Sequence, residues 1–391
     1  MFIKNFNEIK PFPIWVYLGA VLTLVLCGIL ASGYLSVSHY RVYTDIYYSS
    51  FCAISKAINC DTVSQSLYSI FWGIPVPVWG VIGYIFILVT LLFSFDFRLK
   101  KITLYPTLFL IGFIFCIISI FLGIISAVKI HSYCIMCIIT YGINFMLLYM
   151  IWLMKRRFEH KNWILAVKDN FILWKASKSK AFKYFSPLIA FIILIKVFLP
   201  DYWNFTYDNP GGKLLNNGIT ESGSPWIGAE NPELTIIEYS DYMCFQCKKM
   251  HFLLRNLVSE YPEKIRLVHK HFPMDQTVNP LVKQAFHSGA GILSSIAIYA
   301  TKENKFWEIN DYLYRNYSDK NAIYLQQIAK EFDLDLRALK TGIHKPEIRQ
   351  KLIEDILSGL KKNIIGTPSY VINHQVYTGR IPSDILDYIK K

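Results

Sequence analysis

The chain has 391 residues, 53% of them hydrophobic and only 18% charged, with a formal net charge of +13. That length exceeds one ordinary domain. The positive charge does not indicate nucleic-acid binding: no zinc-finger spacing or aromatic–basic RNA motif accompanies it, and the basic residues gather beside apolar runs, as in Arg98-Leu99-Lys100-Lys101 and Lys155-Arg156-Arg157.

A membrane helix takes about 20 mostly apolar residues. Residues 14–36, 75–95, 103–128 and 134–154 meet that requirement, and 184–199 form a shorter fifth run whose Lys196 can snorkel to the interface. The first run contains Ala31-Ser32-Gly33, which imitates a signal-peptide cleavage site, but the run is too long for a signal core and is expected to persist as a span. Short cytoplasmic loops retain Lys and Arg. Residues 98–101 and 155–183 are therefore assigned to the cytoplasmic side, and 155–183 are read as a basic connector. The polar segment 38–71, the turn at Lys129-Ile130-His131-Ser132 and everything after Pro200 then face outward.

Residues 201–225, rich in Asn, Gly, Pro and Ser, predict a linker. Beyond it the pattern predicts a strand at 234–239, a helix at 247–261, a strand at 265–269 and amphipathic helices over 280–360. A hairpin of 369–372 and 375–378 around Asn373-His374 and a last helix at 382–390 complete an α/β order.

Of eight cysteines, six form three close pairs, and Cys27 and Cys116 read as small residues inside membrane helices. Cys244-Phe245-Gln246-Cys247 follows a strand and opens a helix. A helix N-terminus favours a thiolate on the first cysteine, and the second, one turn on, can resolve a mixed disulfide. Gly366-Thr367-Pro368 precedes a later strand, where a cis proline would offer backbone to an extended substrate. The alternatives are a structural disulfide or half of a zinc site, which needs two further ligands; His251 is read as a helix-surface residue. A second Cys-x-x-Cys, Cys134 to Cys137, opens the fourth span, where a lipid-soluble oxidant could reach one sulfur and an aqueous thiol the other. Cys52 and Cys60, seven residues between them, sit on the polar segment, which suits a shuttle. A static disulfide, or a zinc or iron–sulfur site built from four cysteines, remains open on residue type alone.

The run Ser240-Asp241-Tyr242-Met243-Cys244-Phe245-Gln246-Cys247, the Gly366-Thr367-Pro368-Ser369 loop and the helical block between them resemble the DsbA-like branch of the thioredoxin superfamily over residues 226–391. The resemblance implies that Cys244 is the attacking or leaving sulfur, Cys247 the resolving one and Pro368 the cis proline. Phe245 stands where many relatives have proline. Cys52 and Cys60, Ser66 six positions later, Trp72-Gly73 and the string from Cys134 to Asn144 resemble the vitamin K epoxide reductase family, including bacterial members fused to thioredoxin-like domains. This second resemblance implies that Cys137 reacts with a quinone, Cys134 exchanges with Cys60, and Cys52 exchanges with Cys244. It further implies that Ser66 and Tyr141 hydrogen-bond the quinone oxygens. Vertebrate members carry an asparagine early in the second span; residues 75–95 here contain none.

The expected architecture is an integral membrane α-helical bundle, with a four-helix core (14–154), a connector (155–183) and a fifth transmembrane helix (184–200), followed after a linker (201–225) by an α/β thioredoxin-like domain with a helical insertion (226–391). The expected function is a thiol oxidase that uses ubiquinone or menaquinone to form disulfides in exported proteins with reduced cysteines. It would reside in a bacterial inner membrane with its C-terminal domain in the periplasm, without a metal. The rivals are the same relay run as a quinone or epoxide reductase, and a membrane-anchored chaperone or binding module, although a plain anchor needs one span. A transporter fits poorly, because the spans carry almost no Asp, Glu or Arg.

Overall fold

A computed structural model describes residues 12–55, 57–96, 105–158, 162–176, 178–205, 215–316 and 325–390. The basic loop at 98–101 lies outside the described residues, as do residues 159–161 and 177 of the connector and 206–214 of the expected linker. The chain divides into two units, residues 1–202 and 203–391.

The first unit is helical: α1 (Ile14–Thr44), a short α2 (Cys60–Ser64), the strand pair β1 (Ile70–Phe71) and β2 (Ile74–Pro75), α3 (Val76–Asp96), α4 (Tyr105–Ile125), α5 (Ile135–Phe158), α6 (Trp163–Ala176) and α7 (Lys178–Phe198). Five of these, α1, α3, α4 with its continuation to Ile130, α5 and α7, are long and apolar enough to cross a membrane. α1, α3, α4 and α5 share one core around Val25, Ile87, Leu108 and Leu147, and α7 lies against α3 through Phe93 and Tyr184. Gly28 permits a close approach in that core, since a Cβ there would lie 2.4 Å from the Tyr84 ring. The Tyr84 hydroxyl donates to Asn144 Oδ1 (2.7 Å), and Asn144 Nδ2 donates to Ser119 Oγ (2.9 Å). Polar groups at membrane depth need such internal partners.

The expected connector is largely helical. α6 forms because its inner face packs on α4, with Trp163 against Phe109 (ring centroids 4.7 Å), and α7 begins before the predicted fifth span. The apolar run of the first span likewise understates α1, whose last turns carry the polar Ser38, His39 and Arg41.

The second unit begins with β3 (Asn217–Ile219) and β4 (Pro225–Gly228), both touching the segment expected to be linker. These strands are too short to show a period in sequence; pairing with the sheet creates them. There follow β5 (Leu234–Ser240), α8 (Phe245–Glu260), β6 (Ile265–His271), α9 (Ala290–Lys302), α10 (Phe306–Asn316), α11 (Leu325–Glu331), α12 (Leu336–Gly342), α13 (Pro346–Leu360), β7 (Ser369–Ile372), β8 (Gln375–Thr378) and α14 (Ser383–Lys390). The sheet order is β3-β4-β6-β5-β7-β8, with β5 and β6 parallel and the other pairs antiparallel. Helices α9 to α13 form the insertion between β6 and β7. β6 runs past its predicted end because His269 and His271, polar by type, are buried inside the domain.

Candidate active site: three cysteine pairs

In the second unit, β5 delivers the chain into a tight turn held by Asp241. This buried carboxylate accepts the Met243 and Met274 backbone N–H groups (both 2.7 Å) and pairs with His287 Nδ1 (2.7 Å). Cys244 then caps α8: its sulfur accepts the Cys247 N–H at 3.3 Å and lies 3.5 Å from the Thr367 carbonyl, to which its S–H donates. The Thr367–Pro368 bond is cis, and Pro368 directly follows the Thr367 carbonyl that Cys244 meets. Cys244 is half-buried, whereas Cys247 is 1% exposed. Burial pushes the Cys247 thiol well up, and the Cys244 and Asp241 charges act in the same direction. Both cysteines are free thiols here. Cys244 is thus the sulfur a partner can reach.

Behind this pair lies a buried polar cluster that the sequence did not disclose. Glu238 pairs with His269 Nδ1 (2.7 Å), the Tyr242 hydroxyl donates to Asn310 Oδ1 (2.5 Å), and the Ser240 and Tyr314 hydroxyls are bonded to each other. His251, read from sequence as a surface residue, is fully buried and bonded to Asp311 (2.5 Å). Arg255 meets the same carboxylate through two N–H groups, each at 3.1 Å. Burial alone would raise the Asp311 carboxyl; the His251 bond and the His251 and Arg255 charges outweigh it and hold the group below its ordinary value. His271 is pushed well below the ordinary histidine value by burial, with His269, Lys351 and Lys270 adding to the effect.

In the first unit, Cys52–Cys60 and Cys134–Cys137 are disulfides, with Cα separations of 5.6 and 5.2 Å. The polar segment is stitched to the start of α5. Ile58 and Tyr133 form a parallel bridge, Asn59 N–H donates to the Tyr133 carbonyl (2.9 Å), and Tyr133 N–H donates to Ala57 (2.8 Å). Asn59 Oδ1 caps α2 by accepting from Asp61 and Thr62 N–H. This stitching brings Cys52, Cys60 and Cys134 into one apolar cluster with Leu35, and Cys137 packs against it. Asp61 closes the other side of the segment by accepting Ser50 N–H (3.1 Å). Cys52 is 0% exposed, so a thiol from outside reaches it only if the segment opens. Cys27 and Cys116 are unpaired, the first on the exposed face of α1 and the second inside the bundle.

Beside Cys137 is a pocket of 60 Å³ lined by Leu35, His39, Ser66, Ser69 and Tyr141 among others. It brings together the two residues, Ser66 and Tyr141, that the sequence pointed to. The Ser66 hydroxyl donates to the Val63 carbonyl (2.8 Å), so its proton is engaged within the protein. His39 and Ser69 were not anticipated; they lie on different elements, and only folding makes them neighbours. A larger cavity of 740 Å³ in the second unit, lined by Ile219, Trp307, Tyr312 and Phe332 among others, includes no cysteine. Among the described residues no group of three or more His, Cys, Asp or Glu side chains is placed to hold a metal.

Residues 20–152 match the vitamin K epoxide reductase family and residues 220–391 match a thioredoxin family. Among curated proteins, a Na(+)/H(+) antiporter NhaA 3 of Salinispora tropica is 23% identical over 152 residues, which is 39% of this chain and 22% of that protein. A probable disulfide bond formation protein D of Bacillus cereus is 23% identical over 175 residues, covering 42% of this chain and 74% of that protein. The chain thus spans about a fifth of the first of these relatives (22%). Among solved structures, a thioredoxin-like oxidoreductase from Silicibacter pomeroyi DSS-3 is 21% identical, with a TM-score of 0.36, over 44% of this chain and 91% of that one.

Proposed function

We propose that this chain, a vitamin K epoxide reductase family domain followed by a thioredoxin-family domain, is a thiol–disulfide oxidoreductase that forms disulfides in exported proteins and passes the electrons to a membrane quinone. The observation that carries this reading is the cluster in which Cys60 and Cys134 are packed together while Cys137, the disulfide partner of Cys134, lines the adjoining pocket. One end of the cluster receives electrons and the other releases them.

Electrons enter from a client dithiol at Cys244, with Cys247 resolving the mixed disulfide. They pass to Cys52 and Cys60, then to Cys134 and Cys137. Each exchange is thiolate attack on a disulfide sulfur: one S–S bond forms as another breaks, and two electrons and two protons change hands. Pro368 lies where an extended client segment would run past Cys244. Cys52 is the entry sulfur of the membrane pair and Cys60 the one that meets Cys134. A bound quinone, ubiquinone or menaquinone, supplies the two-electron acceptor. Apolar walls, the Tyr141 hydroxyl and an adjacent sulfur suit it chemically; Tyr141, and Ser66 once its hydroxyl turns from the Val63 carbonyl, are the residues that would hold its oxygens. The cysteine-bearing end of the bundle and the thioredoxin-like domain face the periplasm of a bacterial inner membrane. Antiport is not transferred from the Salinispora protein, of which the chain matches only 22%.

The test uses purified protein in detergent with a quinone and a reduced, unfolded client, following quinone reduction optically. Client-dependent reduction by the wild type, lost in both Cys137→Ala and Cys244→Ala, supports the relay. Rescue of Cys244→Ala by a small dithiol fixes the order of transfer. No client-dependent reduction with any common quinone sinks the relay and favours an anchored binding module.

A further inference from the structure

We infer that His39 is a proton-relay residue of the pocket beside Cys137, connecting that pocket through Tyr202 to water at the cysteine-bearing end of the bundle. The inference rests on the reading of this pocket as the electron-acceptor site.

His39 is 0% exposed near the C-terminal end of a helix long enough to span the membrane. A buried imidazole is costly unless its nitrogens are hydrogen-bonded. Both are: Nδ1 meets the Tyr202 hydroxyl at 2.7 Å and Nε2 meets Ser69 Oγ at 3.2 Å. The identity of these partners separates a relay from a merely satisfied core histidine. A backbone carbonyl would lock one tautomer, whereas a hydroxyl both donates and accepts. With a hydroxyl on each nitrogen, the ring can take a proton at Nδ1 and give one at Nε2.

The two ends of this chain of groups lie in different surroundings. Ser69 and His39 line the pocket together with Cys137 and Tyr141. Tyr202 follows α7, is only half-buried, and packs its ring on Tyr40 and Tyr43 of α1 (5.0 and 6.0 Å). The groups facing His39 are Tyr43 on its own helix (5.0 Å between rings), Tyr202 after α7 and Ser69 after α2, with Tyr68 beside Ser69 and Tyr141 and Cys137 of α5 also lining the pocket. Among the described residues no Asp, Glu, Lys or Arg lines the pocket.

The proposed chemistry needs such a path. As the Cys134–Cys137 bond forms, two thiols lose two electrons and two protons, and the quinone gains two of each to become a quinol. One thiol proton is lost to water beforehand, because the thiolate is the reacting form. The replacement comes by the relay: Ser69 releases its proton into the pocket and takes one from His39 Nε2, while Nδ1 takes one from Tyr202, which is replenished by water. The other thiol proton passes directly within the pocket, and no net proton is consumed.

The test uses the full-length protein in detergent, a short-chain ubiquinone analogue, and the variants His39→Gln and Tyr202→Phe. Gln keeps a hydrogen-bonding side chain but cannot shuttle a proton. Analogue affinity is read by quenching of intrinsic fluorescence, independently of turnover. The single-turnover rate of analogue reduction by dithiol-reduced protein is read between about pH 5 and 8. His39→Gln is expected to bind the analogue as the wild type does and to react about 10²-fold more slowly throughout that pH range. Tyr202→Phe, outside the pocket lining, removes only the peripheral hydroxyl and is expected to slow the same step by a smaller factor with affinity unchanged. Loss of affinity in step with rate in His39→Gln would show a residue that only shapes the pocket, and an unchanged rate in both variants would show no relay; either outcome overturns the inference. A wild type that binds the analogue without ever reducing it instead overturns the functional reading, and the relay with it.

Discussion

The two Cys-x-x-Cys motifs are locally alike and chemically opposite. Each opens a helix, and in each the first sulfur accepts the second cysteine's N–H, at 3.1 Å in Cys134–Cys137 and 3.3 Å in Cys244–Cys247. At the start of α8 the first cysteine is reachable and the second is buried; at the start of α5 the first is buried and the second is half-buried against a pocket. The motif therefore supplies a redox pair, and the surroundings decide which sulfur meets the foreign partner. Around Cys244 the sheet and the Thr367–Pro368 segment leave the first sulfur open. Around Cys134 the polar segment bearing Cys60 closes over it and leaves Cys137 to the pocket.

The strongest challenge to this contrast is trapping. Cys247→Ala should accumulate a client-linked mixed disulfide at Cys244, visible as a shifted band on a non-reducing gel, since the resolving thiol is gone. A trap of equal yield through Cys247 in Cys244→Ala would erase the asymmetry. A second experiment addresses the interior behind α8. Asp311→Ala strands His251 and Arg255 in the core and should cost about 3–5 kcal/mol of stability, measured by denaturant unfolding; a loss under about 1 kcal/mol would mean these groups are rehydrated instead.

Alkylation of the fully reduced protein sharpens the comparison further. Iodoacetamide should modify Cys244 and Cys137 about tenfold or more faster than Cys247 and Cys134, by mass spectrometry, because exposure and thiolate character set the rate. Equal rates within each pair would break it. The smallest effect concerns pH. His271 has a folded value depressed well below its ordinary one, so the unfolded chain takes up a proton first. Its contribution to stability is complete above about pH 6.5 and is lost as pH falls below that, toward the folded value. Amide protection factors in β5 and β6 should fall from about pH 7 to 5.5 by the equivalent of about 1 kcal/mol, and His271→Phe should flatten that slope. A wild-type profile that stays flat down to pH 5 would show that His271 is not buried as described.

Much of this molecule was open to reading before folding was considered, and for a physical reason. The membrane spans declare themselves by apolar length, the hairpin at 369–378 by alternation around a turn, and the cysteine pairs by their spacing; each is a local property of the chain. The sequence alone therefore determined a multi-span bundle followed by an α/β domain, and placed three cysteine pairs in it. Tertiary structure decided the rest. β3 and β4 exist only because the sheet edge pairs them, and α6 is a helix rather than a loose connector because α4 accepts its inner face. His251 left the predicted surface because Asp311, 60 residues away, neutralises its burial, and His39 joined the pocket because Tyr202, 163 residues away, occupies one of its nitrogens. Burial of a polar side chain depends on the partner it meets, and no local pattern encodes a partner so distant in the chain.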